Sequence, residues 1–266
     1  MGITIGEEFD GISEIYDETR QAATEIELKA LSSELKVCRT ILDVGVGTGR
    51  FAKPLSECGF EIVGFDLSRK MILKAKLKGL PNLILADACH MPFRDGAFDG
   101  SIIIHVFHLL PDWLTVLREM GRVTNKKVAT LLGNRPSGWG NTENVSGDAA
   151  YPQHPEIWVQ YAKLRAEAGY PMHRHARRWQ NEADAKSKLP PSKLIIVNSE
   201  VVTTKVSDLI ERFLQRAPAS NTEIPIEVHR KIIQQLLASV GDKQITRTVT
   251  KELAIWKPDQ LRMFRD

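Results

Sequence analysis

The sequence predicts an α/β fold in which a mostly parallel sheet is covered by helices on both of its faces. Between residues 36 and 134, apolar runs of strand length alternate with amphipathic helical segments. The first of these runs, Thr40–Val44, leads into a turn with three alternating glycines. The 266 residues are 42% hydrophobic and 26% charged, which is enough for one globular domain with a full core.

The composition limits the classes of partner. The net charge of +3 is mildly basic, without the strong bias of a dedicated nucleic-acid binder, so nucleic acid is not the expected partner. The three cysteines are far apart and form no Cys/His cluster, so we expect no metal site and reduced thiols in a cytoplasmic protein. No signal peptide or apolar run of about 20 residues occurs, so no membrane segment is expected. The sequence does not indicate an oligomeric state.

The glycine-rich turn runs Gly45-Val46-Gly47-Thr48-Gly49-Arg50 and is followed by a helical pattern. A strand, a glycine-rich turn and a helix bring the backbone close to a ligand. A dinucleotide fingerprint needs Gly-x-Gly-x-x-Gly, and here the third glycine comes one place early, with Arg50 in its position. Asp43, two residues before the first glycine, suits a ligand with a cation or an amino group better than a pyrophosphate.

Four segments share a resemblance with one family. Asp43-Val44-Gly45-Val46-Gly47-Thr48-Gly49 resembles the first motif of the class I S-adenosylmethionine (AdoMet) methyltransferases. The other three resemble that family's second strand, third motif and fourth strand, in the right order, over about residues 9 to 134: Val63-Gly64-Phe65-Asp66-Leu67-Ser68, then Ala86-Asp87-Ala88 with Met91-Pro92-Phe93, then Phe98-Asp99 with Ser101-Ile102-Ile103-Ile104-His105. Within the class, the chain is similar to the type 11 small-molecule group.

Residues 9–35 are predicted to be helical, because Phe9, Ile12 and Tyr16 fall at helical spacing. The resemblance implies that residues 1–35 form a cover in which Tyr16-Asp17-x-x-Arg20 closes over the methionine end of AdoMet. A guanidinium at Arg20 is chemically suited to bind the carboxylate of that end. A surface helix with one buried face is the alternative interpretation.

The next strand and helix carry the expected ribose and adenine contacts. A helix from Phe51 ends near Gly59, a predicted C-cap, and Glu61–Phe65 is the second strand. Asp66 follows about 20 residues after the first glycine, where an acid can accept both ribose hydroxyls. Ser68 is a predicted N-cap. Leu67 and Met71 either sandwich the adenine ring or belong to the core.

The third and fourth strands end in polar residues. Asn82–Ala86 is the third predicted strand, and the following Asp87-Ala88 can offer a carboxylate and a backbone amide to adenine. Asp99–Phe107 is the fourth, with His105 and His108 at its carboxyl end, where open parallel sheets bind ligands. Both histidines are candidates for a general base, since imidazole titrates near neutral pH, and structural histidines are the alternative. The resemblance implies AdoMet contacts from Tyr16, Arg20, Asp43, Gly45, Val46, Gly47, Gly49, Asp66, Leu67, Met71, Asp87, Ala88 and His105.

An insertion is predicted after the fifth strand, Lys126–Leu132. From Asn134 to Ser192 the chain is polar and rich in proline and glycine, with two short helices, and inserted segments beyond strand ends often form lids. Arg174, Arg177 and Arg178 lie in a basic, aromatic run that suits an anionic substrate. A solvated face and a nucleic-acid contact are the alternatives.

The rest of the chain completes the predicted sheet. Lys193–Thr204 reads as a strand, Val206–Arg216 and Ile226–Val240 as helices, and Gln244–Trp256 as the last strand, which similar methyltransferases place antiparallel between the fifth and sixth. The expected organisation is therefore one methyltransferase domain, residues 1–266, with a doubly wound, seven-stranded, mostly parallel Rossmann-like sheet. Its parts are the cover at 1–35, the AdoMet-binding core at 36–134, the helical lid at 135–192 and the C-terminal part of the core at 193–266.

The resemblance implies in-line transfer of the AdoMet methyl group to a small-molecule acceptor, with an anionic acceptor favoured by the three arginines. Such an enzyme mainly supplies alignment and desolvation, because AdoMet carries its own leaving group. A non-catalytic AdoMet- or nucleotide-binding protein and an RNA methyltransferase are the alternatives. Arg50 and Asp43 argue against a nicotinamide-dependent dehydrogenase.

Overall fold

The structure is a computed structural model that describes residues 5–19, 22–133, 155–170, 178–208, 210 and 224–264. Its helices are α1 Ile5–Ile12, α2 Tyr16–Thr19, α3 Glu25–Leu35, α4 Ala52–Glu57, α5 Arg69–Leu77, α6 Trp113–Val123, α7 Pro155–Glu167, α8 Arg178–Lys188, α9 Ile226–Val240 and α10 Pro258–Met263. Its strands are β1 Thr40–Val44, β2 Glu61–Asp66, β3 Leu83–Leu85, β4 Phe98–Ile103, β5 Thr124–Gly133, β6 Lys193–Lys205 and β7 Gln244–Trp256.

These strands form one seven-stranded sheet in the order β3-β2-β1-β4-β5-β7-β6. The pairs β1–β2, β2–β3, β1–β4 and β4–β5 are parallel, with Leu42 opposite both Val63 and Ser101. Within the sheet, the chain begins at β1 and continues outward through β2 to β3. It then returns to β4, which lies on the other side of β1. Because the direction of winding reverses between β1 and β4, a crevice is expected at the carboxyl ends of these two strands. The predicted fold class is confirmed.

The last strand lies between β5 and β6, where the family resemblance places it. Its pairing with β6 is antiparallel, because the residue numbers rise along one strand as they fall along the other. The Ser199 and Thr250 hydroxyls are 3.1 Å apart, those of Thr203 and Thr246 are 2.8 Å apart, and the Val206 amide donates to the Lys243 carbonyl.

Both faces of the sheet are covered, which explains why four of the five residues of β1 are buried. Leu42 and Val44 pack in one core cluster, with Met120 of α6 and Trp256 of β7. Ile41 packs on the opposite face in a second cluster that includes residues of α3 and α4. The fully buried Trp256 donates its ring N–H to the Leu189 carbonyl at 2.7 Å.

The chain divides into two compact units, the first made of residues 1–132, 181–198 and 251–266, and the second of 133–180 and 199–250. These boundaries differ from the predicted insertion at 135–192. The second unit has its own apolar core, in which Ile157 and Tyr161 of α7 cluster with Ile232 and Leu236 of α9. Residues 199–250 therefore group with the inserted segment, because α7 and α9 bury their apolar faces in one cluster.

Two of the predicted elements differ from the observed ones. The fourth strand ends at Ile103, before the predicted Phe107, because His105 has a φ of 59° and leaves the extended conformation. The predicted N-terminal helix is broken into α1 and α2, with the buried Ser13 hydroxyl donating to the Asp10 carbonyl in the break. A predicted helix from Val206 to Arg216 lies mostly outside the described residues.

Candidate functional site

The glycine turn joins β1 to α4, and its three glycines have positive φ values of 72°, 54° and 82°. A Cβ on Gly45 would lie 2.5 Å from a methyl carbon of Val106, whereas a Cβ on Gly47 would meet nothing within 4 Å. Gly45 is therefore needed because its backbone packs closely against the side chain of Val106. Gly47 faces open space, where a ligand can approach the backbone.

A cavity of about 200 Å³ lies beside this turn, at the carboxyl ends of β1, β2 and β4. Most of the predicted cofactor residues line it: Tyr16, Asp43, Gly45, Val46, Gly47, Asp66, Leu67, Met71, Asp87, Ala88 and His105. Gly49 is not part of the lining; a Cβ there would lie 2.6 Å from a methyl carbon of Leu80. This glycine therefore serves packing against Leu80, and its predicted cofactor contact stays a prediction.

Asp43, at the end of β1, is a buried carboxylate with a 4% exposed surface. No residue that the structure describes donates a hydrogen bond to the side-chain carboxylate of Asp43. Burial, with a smaller effect from the charge of Asp66, raises the pKa of Asp43 to about 7, while Arg50 opposes the shift. Because a buried carboxylate without a donor is unfavourable, its position in the cavity wall is suited to a cationic ligand group.

Asp66, at the end of β2, connects two segments of the cavity wall. Its Oδ2 accepts the Gly47 amide at 2.8 Å, and its Oδ1 accepts the Ser68 amide at 2.8 Å. Burial raises the pKa of Asp66 despite these hydrogen bonds. Since an ionised carboxylate has about four acceptor positions, both oxygens can still accept a hydrogen bond from a ligand hydroxyl.

Apolar side chains supply the wall next to Asp66. Met71 is fully buried on α5, whose first turn is capped as predicted by the Ser68 hydroxyl, which accepts the Met71 amide at 3.1 Å. Leu67 is 46% exposed in the same wall. After β3, Asp87 is exposed and accepts the Cys89 amide at 2.9 Å, while Ala88 is buried.

The segment that follows Ala88 is fixed by Arg122 of α6. The Arg122 guanidinium donates to the Phe93 carbonyl at 2.7 Å and to the Met91 carbonyl at 3.0 Å, and it pairs with Glu119 and Asp95. Glu119 in turn accepts the Met91 amide at 3.0 Å. The motif Met91-Pro92-Phe93 is therefore held through its backbone, and this connection positions Asp87 and Ala88.

His105 is the only residue other than glycine with a positive φ among the described residues. Its ring lies 6.0 Å from that of Phe51, and both residues line the cavity. Strained backbone of this kind is concentrated at functional sites. His108 lies in the short 3₁₀ turn Phe107–Leu109, and its side chain is outside the described part, so the expected histidine pair stays a prediction.

The positive φ of His105 leads to a prediction about the free energy of unfolding. At ordinary positions glycine is less stable than alanine, by about 0.5–1 kcal/mol. At His105 we expect the reverse, with His105→Gly more stable than His105→Ala by about 1 kcal/mol, because only glycine adopts this φ without strain. Urea unfolding of the two variants measures the difference, and a less stable glycine variant would contradict the observed backbone conformation.

The N-terminal cover contributes Phe9 and Tyr16 to the cavity, with their rings 6.1 Å apart in an edge-to-face arrangement. Its Arg20 lies outside the described residues, as do Arg174 and Arg177. Arg178 begins α8, but its side chain is not described. The predicted carboxylate contact and the predicted anionic substrate surface therefore stay predictions.

Several cavity residues did not appear among the sequence candidates. Thr48, Arg50 and Phe51 lie within or beside the glycine motif, so their position alone was an available signal. The others are apolar or small residues whose patterns indicate only core: Phe65, Ala86, Cys89, Ile104, Val106, Leu109, Leu110 and Pro111. In the described chain, no cluster of His, Cys, Asp and Glu is placed to hold a metal, and no helix is long and apolar enough to cross a membrane.

The order of the strands, the glycine turn and the acid at the end of β2 define a Rossmann-like cofactor-binding fold of the class I methyltransferase type. Comparison with known proteins agrees: residues 42–131 match the family described as "Methyltransferase domain". A SAM-dependent methyltransferase of Thermotoga maritima has the same fold, with a TM-score of 0.51 and 16% identity, covering 94% of this chain and 99% of its own. The family match lies within the part of the chain that contains the glycine turn, and the solved structure shows the same fold.

Two curated relatives each match less than half of the chain. An uncharacterized protein of Methanocaldococcus jannaschii is 32% identical over 129 residues, which are 47% of this chain and 60% of the relative. A demethylmenaquinone methyltransferase of Geobacillus kaustophilus is 40% identical over 92 residues, which are 31% of this chain and 39% of the relative. The chain thus spans less than two thirds of the length of either.

Proposed function

We propose that the protein is an AdoMet-dependent methyltransferase that acts on a small-molecule acceptor. The observation that carries the proposal is Asp43, a buried carboxylate in the cavity wall beside the open face of Gly47. It supplies the negative charge that an α-amino group requires. A pyrophosphate, by contrast, would be repelled by Asp43 and Asp66 together.

The other cavity residues fit the remaining parts of AdoMet. Asp66 accepts the ribose hydroxyls, because its two oxygens keep acceptor positions beyond those used by the Gly47 and Ser68 amides. The side chains of Leu67 and Met71 and the methyl of Ala88 form an apolar slot for adenine, with Asp87 at its rim. Tyr16 and Arg20 of the cover complete the methionine end.

Bound AdoMet supplies a methyl group that its sulfonium makes electrophilic. The residues of this chain align it and keep water away, since Ile104, Val106, Leu109 and Leu110 give the region after β4 an apolar wall. His105, at the carboxyl end of β4, is positioned to accept a proton from an acceptor whose nucleophilic atom is protonated. His108 is the second candidate for that base.

A small-molecule acceptor is supported by the relatives that carry the name demethylmenaquinone methyltransferase. The family match covers residues 42–131, outside the segment with the three arginines, so it does not define the acceptor itself. Arg174, Arg177 and Arg178 favour an acceptor with a carboxylate or phosphate group.

Calorimetric titration with AdoMet, S-adenosylhomocysteine and NAD tests the proposal. We expect saturable binding of the first two and little or none of NAD, because the turn lacks the third glycine of the dinucleotide fingerprint and Asp43 repels a pyrophosphate. Formation of S-adenosylhomocysteine during incubation with AdoMet and a panel of small acceptors then tests catalysis. Tight binding of NAD without any AdoMet signal would overturn the proposal.

A further inference from the structure

We propose that Asp17 is a positioning residue that ties the N-terminal cover to the glycine turn and thereby holds Tyr16 at the cofactor cavity. This inference rests on the proposed function, since it concerns the binding of AdoMet. It assigns a role to the acid of the Tyr16-Asp17 pair, whose ring and carboxylate take part in different contacts.

Asp17 contacts two elements at once. Its Oδ1 accepts the Thr48 hydroxyl at 2.5 Å, and its Oδ2 pairs with the Lys78 ammonium at 2.6 Å. Burial acts to raise the pKa of Asp17, but the hydrogen bonds from Lys78 and Thr48 together lower it, as expected for a carboxylate that is ionised in its contacts. Thr48 is 1% exposed and lines the cavity between Gly47 and Gly49.

Two other acids of the cover, Asp10 and Glu14, contact α5 or its N-cap. Asp10 accepts the Ser68 hydroxyl at 2.5 Å and the Lys70 amide at 3.0 Å. Glu14 pairs with Lys74 at 3.1 Å. Of these three acids, Asp17 alone is hydrogen-bonded to the glycine turn.

A physical coupling follows from these contacts. If the cover moves away, the buried Thr48 hydroxyl loses its acceptor inside the cavity wall, which is unfavourable. Conversely, the Thr48–Asp17 hydrogen bond fixes the residue next to Tyr16, whose ring lies in the cavity and against Phe9. The cover and the turn therefore adopt their cofactor-binding arrangement together, and Asp17 is the residue that joins them.

The test compares Asp17→Ala and Thr48→Val with Glu14→Ala as a matched control. Glu14 lies on the same cover and pairs with α5, but its contacts do not include the turn. We expect Asp17→Ala and Thr48→Val each to raise the Kd of S-adenosylhomocysteine about tenfold, the value for one charge-assisted hydrogen bond. Tritiated AdoMet should dissociate faster by a similar factor, and Glu14→Ala should change either quantity by less than about twofold.

A double-mutant cycle separates positioning from general stability. Because the two residues act through one hydrogen bond, the Asp17→Ala/Thr48→Val protein should bind no more weakly than either single variant, and Thr48→Ser should restore binding. The melting temperature of each ligand-free variant shows that it is folded. Fully additive losses, or an equal loss in Glu14→Ala, would overturn the inference.

The cycle also keeps the two proposals apart. If the natural protein binds neither AdoMet nor S-adenosylhomocysteine, the proposed function fails. If the natural protein binds them and Asp17→Ala binds them equally well, only the role of Asp17 fails.

Discussion

An Asp43→Asn variant is expected to unfold at a higher temperature than the natural protein at pH 8 and, at the same time, to lose AdoMet binding. Both effects come from one buried charge. Burial raises the pKa of Asp43 from its ordinary value of 3.8 to about 7, so at pH 8 the folded protein contains an ionised carboxylate at a site that disfavours it. An amide of the same shape carries no charge, and the gain is on the order of 2–4 kcal/mol.

The direction of the pH dependence follows from the two pKa values. Between about pH 4 and pH 7 the unfolded chain has lost the Asp43 proton while the folded protein retains it. The contribution of Asp43 to stability is therefore greatest below pH 4 and decreases as the pH rises to 7. The difference in melting temperature between Asp43→Asn and the natural protein should accordingly be small at pH 4 and large at pH 8.

The loss of binding has the opposite sign. In the proposed complex the ionised Asp43 holds the amino group of AdoMet, and a neutral amide gives up a charge-assisted hydrogen bond of about 1.5–3 kcal/mol, or at least tenfold in affinity. Differential scanning fluorimetry from pH 4 to 8, with and without AdoMet, measures both effects. A variant that is less stable at pH 8, or that binds AdoMet as tightly as the natural protein, would contradict this role of Asp43.

An Asp66→Ala variant is expected to bind AdoMet at least tenfold more weakly while remaining folded. Two hydrogen bonds to the ribose are lost, each worth about 1.5–3 kcal/mol. The Gly47 and Ser68 amides also lose their acceptor, which loosens the turn that faces the cofactor. The fold should survive, because burial raises the pKa of Asp66 and its ionised carboxylate is thus not a stabilising charge.

Asp66→Asn is the matched variant for this experiment. The amide can replace one acceptor but presents an N–H group to the other amide, so we expect an affinity between those of the natural protein and Asp66→Ala. Circular dichroism and calorimetry with AdoMet measure fold and affinity in parallel. Unchanged affinity in a folded Asp66→Ala protein would show that Asp66 only shapes the turn.

Much of the fold could be predicted because the apolar patterns of strands and helices involve residues that are close together in the sequence. Thr40–Val44, Ile226–Val240 and Gln244–Trp256 have the bounds that their apolar patterns predict. The end of the fourth strand was misplaced because apolarity continues through Ile104 and Val106, although the backbone turns at His105. Hydrophobicity reports burial, and burial continues beyond the point where pairing ends.

Some residues of the candidate site could likewise be predicted from the sequence, and others could not. Asp43, Gly47 and Asp66 could be predicted, because their residue type and spacing carry chemical information. The contribution of Arg122 could not be predicted, because its guanidinium binds the carbonyls of Phe93 and Met91, which lie 29 and 31 residues away in the sequence. Every residue has a backbone carbonyl, so residue type does not indicate such a contact. The different roles of Gly45, Gly47 and Gly49 also depend on side chains such as Val106 and Leu80, which only the folded structure brings near.

The order in which the strands are synthesised differs sharply from their order in space. β7 is the last of the seven to leave the ribosome, yet it lies between β5 and β6. Until residues 244–256 emerge, the edge of β5 has no neighbour and the apolar partners of Trp256 lack their central ring. From the completion of β5 at Gly133 until β7 emerges, a nascent chain therefore carries an open strand edge, the kind of surface that pairs with other chains.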